Sequence, residues 1–117
     1  MMADYSPDKA MAMSQENKQM LFHELVRIGN ETREFDYIPS RYIQDVANSD
    51  PAEIILRYVL AKEMTEGFER LWLEKRLDLA VENLAWKNRH LFPAEVGREA
   101  KGRLAAAGFD VRTQKQS

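Results

Sequence analysis

Two histidines and one cluster of carboxylates are the side chains of this 117-residue chain best suited to chemistry. A metal site on helices wants ligands one turn apart, as in a His-x-x-x-His or Glu-x-x-His pair. His23 has Gln19, Met20, Val26 and Arg27 at that spacing, and His90 has Trp86, Lys87 and Pro93. Neither finds a second ligand, so both read as ordinary structural residues, His90 suiting the negative end of a helix. The chain holds no cysteine, which removes disulfides, thiolate metal sites and a cysteine nucleophile. No metal and no cofactor is predicted.

The carboxylates Glu31, Glu34 and Asp36 lie together in a polar stretch that ends at Tyr37. Acids and aromatics on a loop can contact a ligand or partner, and paired acids can move protons. Arg33, inside the cluster, also balances its charge. A solvated loop is the plainer reading, with a ligand or partner contact as the functional one. There is no glycine-rich phosphate loop and no nucleophile elbow. Nothing here argues for an enzyme.

The elements that carry these residues read as helices throughout. Leu21, Leu25 and Ile28 form an apolar stripe, with Ser14 as N-cap and Gly29 as C-cap of a helix over residues 15–28. Residues 30–37 read as a loop. Ile38-Pro39-Ser40 restarts a helix whose inner side is Tyr42, Ile43 and Val46. The strongest local signal is Asp50-Pro51-Ala52-Glu53. A capping aspartate precedes a proline that has no N–H to lose, and a glutamate is positioned to complete a capping box. The helix that follows is apolar over most of its circumference, which suits the middle of a core.

After Gly67, residues 68–91 read as one long helix with two apolar stripes. Leu73, Leu77, Ala80, Leu84 and Leu91 form one. Trp72, Leu79 and Trp86, spaced by seven, form a second, and positions seven apart drift by only about 20°. One neighbouring helix would struggle to cover both, so the tryptophan ridge is the predicted interface. Pro93 opens a last helix, and Ala107-Gly108-Phe109 predicts a Schellman-type stop. No strand is predicted. The expected architecture is an all-α bundle of about five helices. Residues 14–109 form the single domain, residues 1–13 a flexible or weakly helical segment and residues 110–117 a frayed tail.

Formal net charge is -2, but residues 85–117 carry seven basic and three acidic side chains. Arg98, Lys101 and Arg103 on the last helix are the candidate phosphate contacts, although Glu95 and Glu99 can pair with Arg98 and Arg103 at helical spacing. The helix pair over residues 39–64 has a helix-turn-helix outline, yet its second helix offers only Arg57 and Lys62 to a groove. No apolar run reaches the roughly 18 residues a membrane helix needs. The N-terminus lacks the basic start and apolar middle of a signal peptide, so a cytoplasmic location is expected.

The expected function is that of a small helical interaction or regulatory protein without catalysis. It would pair with a second copy or a helical partner. The alternative is a nucleic-acid-binding regulator that uses the basic C-terminal third. The cap itself makes a prediction: Asp50→Ala costs about 0.5–2 kcal/mol of stability, read as a lowered midpoint in thermal unfolding.

Overall fold

A computed structural model describes residues 13–37 and 39–117. The described residues form six α-helices: α1 (Gln15–Glu31), α2 (Ser40–Asn48), α3 (Pro51–Val59), α4 (Glu66–Leu73), α5 (Val81–Lys87) and α6 (Ala94–Ala106). The all-α class is as expected. The N-terminal segment lies outside the described residues except for Met13, which is half-buried against the core. The core gathers Leu21 and Leu25 of α1, Ile54, Ile55 and Val59 of α3, Leu84 and Ala85 of α5, and Val96, Ala100 and Leu104 of α6. α3 is in its midst, packing against α1, α5 and α6. The second helix of the helix-turn-helix outline thus spends its apolar faces inside.

Its start is the one read from sequence. Asp50 accepts hydrogen bonds from the Ala52 N–H at 2.9 Å and the Glu53 N–H at 3.4 Å, and it pairs with Lys18 at 2.8 Å. Glu53 does not complete the box. It turns along the helix to Arg57 at 3.0 Å.

The boundary expected at Gly29 is overturned. α1 runs through Gly29 to Glu31 and tightens into a 3₁₀ turn over Thr32–Phe35, so most of the expected loop is helical. Gly29 is there for close approach rather than for capping. A Cβ built on it would sit 3.3 Å from the ring of Tyr42, whose hydroxyl donates to the Leu25 carbonyl at 2.5 Å.

The single long helix is overturned as well. α4 stops at Leu73, Leu77–Leu79 make a 3₁₀ turn, and α5 begins only at Val81. Lys75 takes the left-handed conformation at φ 58°. The Arg76 N–H reaches back to the Leu71 carbonyl at 2.8 Å and the Lys75 N–H to that of Trp72 at 3.2 Å. This is a Schellman stop with lysine where glycine is usual, so the residue that normally announces it is missing. The break reorients the chain so that Leu77 and Leu79 both enter the core.

The C-terminal stop is the expected one, with Gly108 at φ 83° and Phe109 buried. The frayed tail and the absence of strands are not. Phe109–Asp110 pairs antiparallel with Lys115–Gln116, and Val111 is buried at the turn. Side-chain amides fix this hairpin. Gln114 exchanges hydrogen bonds of 2.7 and 3.0 Å with Asn83, which is fully buried, and Gln116 Nε2 donates to the Trp72 carbonyl at 2.9 Å. Strands of two residues leave no period to read.

A left-handed non-glycine residue is strained by its own Cβ. Lys75→Gly is therefore expected to stabilise the fold by about 0.5–1 kcal/mol, the left-handed strain of roughly 1–2 kcal/mol less the chain entropy of roughly 0.4–1 kcal/mol that glycine adds to the unfolded state. Urea unfolding checks this, as a raised midpoint at unchanged slope.

Candidate functional site

A cleft of about 650 Å³ opens between the end of α1, the α2–α3 pair, the first turns of α4 and the start of α5. Tyr42 and Tyr58 meet edge to face on its α2–α3 side, with ring centroids 6.1 Å apart. The Tyr58 hydroxyl donates to Asp45 Oδ2 at 2.7 Å, and Arg57 stands 3.8 Å from the other oxygen of that carboxylate. Burial pushes both phenols well above their usual range, with the Asp45 charge raising Tyr58 further. Opposite them, the Thr65 hydroxyl caps α4 by accepting from the Phe68 N–H at 3.1 Å.

Glu82, the second residue of α5, forms part of the cleft wall and is only 2% exposed. Arg103 Nη1 of α6 stands 3.8 Å from its Oε2. That separation supplies attraction but no hydrogen bond. The guanidinium is otherwise engaged: Nε donates to Glu99 at 3.0 Å, Nη1 to the Tyr58 carbonyl at 3.4 Å and Nη2 to that of Ala61. No donor among the described residues bonds Glu82 Oε2. Burial raises the Glu82 carboxyl to about 7, against the lowering influence of its own backbone N–H and of Arg103.

The residues singled out from sequence are largely dispersed. Among the loop acids, Glu31 pairs with Arg27 and stands 3.6 Å from Arg76, and Glu34 stands 3.7 Å from the same Arg76. Asp36 is exposed in a left-handed turn at φ 59°. Only Tyr37 of that cluster reaches the cleft, with the Arg70 guanidinium 5.1 Å above its ring and burial raising its phenol.

The tryptophan ridge is broken by the turn after α4. Leu79 is core at 1% exposure, and Trp86 is half-buried under Arg89, whose guanidinium is 3.9 Å from the ring centroid, and Lys101 at 5.4 Å. Trp72 alone stays exposed, at 48%. Arg103 faces inward, which corrects its reading as a phosphate contact. Arg98 and Lys101 are exposed on α6. Both histidines lie on the surface, and no group of three metal-ligating side chains occurs among the described residues.

Sequence reasoning did not single out Glu82. Its available signal was one carboxylate set among Leu79, Ala80, Val81, Leu84 and Ala85, where a helical wheel leaves no polar face for it. No protein family, no curated protein and no solved structure matches the chain.

Because the folded carboxyl of Glu82 holds its proton up to about pH 7 while an unfolded glutamate releases it near 4.5, the folded state binds more protons between those values. Stability from this group is full below pH 4.5 and is lost as pH rises through 7. The loss is on the order of 3 kcal/mol, at 1.36 kcal/mol per unit. Glu82→Gln is expected to abolish this part of the pH dependence and to be more stable than wild type at pH 8. Urea unfolding of both proteins at pH 5 and pH 8 measures it.

Proposed function

We propose that this is a small helical interaction protein without chemistry of its own, which pairs with a second copy through the exposed end of α4. The observation that carries the reading is the adjacent pair Trp72 and Leu73, 48% and 70% exposed. Large apolar side chains side by side on a surface mark contact sites, and tryptophan is enriched at their energetic centres.

The pair is also held rigidly. The Trp72 carbonyl accepts from Gln116 Nε2 and from the Lys75 N–H, so the knuckle is tied to the hairpin on one side and to the turn on the other. Rigid presentation reduces the ordering entropy that binding costs. A second copy is favoured as the occupant by the flanking charges. Glu69 and Lys75 lie three residues to either side of Trp72, and both are exposed. A two-fold axis through Trp72 sets each against its opposite on the other copy, as a self-complementary patch requires.

Sedimentation velocity across the micromolar range tests the proposal. Wild type is expected to sediment as a dimer that dissociates on dilution, and Trp72→Glu with Leu73→Glu as a monomer with unchanged circular dichroism. A wild-type monomer throughout the range overturns the proposal, and so does a dimer that survives both charges.

A further inference from the structure

We propose that the cleft between α2, α3 and the start of α5 binds a small organic cation, an ammonium group on an apolar body, with the Glu82 carboxylate as its acceptor. The volume of about 650 Å³ falls within the range of small-molecule sites, and the wall has their usual composition. Tyr42, Tyr58, Phe68 and Leu71 supply aromatic and aliphatic surface for a ligand body. Aromatic walls also favour a cation over a neutral group of the same shape.

The specific argument is the carboxylate. A buried acceptor without a donor bears its whole desolvation penalty. Oε2 of Glu82 is in that position among the described residues: the carboxylate is met by its own backbone N–H, and the facing guanidinium of Arg103 stops short of hydrogen-bond distance. Arg103 donates to Glu99 and to the carbonyls of Tyr58 and Ala61 at the end of α3, and its 3.8 Å approach to Glu82 leaves Oε2 without a hydrogen bond among the described residues. An ammonium provides both missing elements, a positive charge and N–H donors on a small head.

The charges of the wall agree. Its lining includes the cations Arg41 and Arg57 and the acids Asp45, Glu66 and Glu82, so with Glu82 ionised the cleft carries one more acid than base and favours a cation over an anion.

The test uses tryptamine as probe, indole-3-ethanol as its neutral counterpart and tryptophan as the amino-acid form. Titrations are followed by calorimetry and by ¹H–¹⁵N amide shifts at pH 8, where Glu82 is ionised and tryptamine remains an ammonium. Tryptamine is expected to saturate with shifts centred on Tyr58, Phe68 and Glu82, and indole-3-ethanol to bind at least about tenfold more weakly, the scale of one charged hydrogen bond. Glu82→Gln is expected to remove that preference while leaving indole-3-ethanol binding unchanged. Tryptophan binding as well as tryptamine supports the ammonium site and assigns it to amino acids, while exclusion of tryptophan supports it and assigns it to simple amines. Equal binding of tryptamine and indole-3-ethanol by wild type overturns the proposal. It falls equally if the cleft shows no amide shifts with tryptamine at millimolar concentration. The comparison of charged and neutral probes on wild type stands even if Glu82→Gln folds poorly.

Discussion

The guanidinium of Arg103 ties two helices of this molecule together and faces a buried acid on a third. From α6 it donates to the carbonyls of Tyr58 and Ala61, where α3 ends, and it pairs with Glu99 one turn away on its own helix. A helix end leaves carbonyls without intrahelical donors, and a buried end must find them elsewhere. Arg103 finds them for α3, and in doing so fixes the direction in which the chain leaves toward α4. Tyr58 and Ala61 also line the cleft, so the carbonyls that Arg103 holds belong to residues of its wall. The same guanidinium stands 3.8 Å from Glu82, beyond hydrogen-bond distance, so one arginine ties the end of α3 and faces the buried acid of the cleft wall without bonding it.

A second set of polar contacts holds the other side. Asn83 is fully buried, and its amide is divided between the Asp78 carbonyl and Gln114 of the hairpin. Gln116 accepts from the Leu77 N–H and donates to the Trp72 carbonyl. The broken stretch between α4 and α5 thus receives the hydrogen bonds it lost as a helix from the last residues of the chain. Backbone groups that leave a helix inside a protein need such partners. The two-residue strands matter less as a sheet than as the frame that aims these two glutamines.

Much of the fold was legible in the residues themselves, because helical period and caps are local. Asp50-Pro51 and Gly108 do what their conformational chemistry dictates, and the apolar run after Asp50 takes the central place its circumference demands. The breaks were illegible for an equally local reason. Lysine at position 75 carries no sign of a left-handed turn, and the leucines on either side keep a helical spacing across it. Gly29, by contrast, carried a signal with two meanings: a stop, or a close contact with a partner ring that only the folded chain supplies. The site was less legible still. Its members come from five elements, and of the clustered acids only the neighbouring Tyr37 joins them. Glu82 was visible as a charge out of place, but not what it would face.

The uneven charge of the chain has a related explanation. The basic excess of the last third suggests an outward face for phosphate, yet much of it is turned to the protein's own needs. Arg103 is folded inward among carbonyls and carboxylates. Arg89 and Lys101 lie over the Trp86 ring, and Arg89 donates to the Trp86 carbonyl at 2.9 Å as well. Arg112 stands 3.7 Å from Asp110 within the hairpin turn. Cations over an indole cover the surface that would otherwise have been a second exposed tryptophan, which is why the two tryptophans of one sequence repeat end with opposite fates. Trp86 is covered by charges from its own chain. Trp72 emerges at a turn, with its carbonyl tied down and its ring left outside.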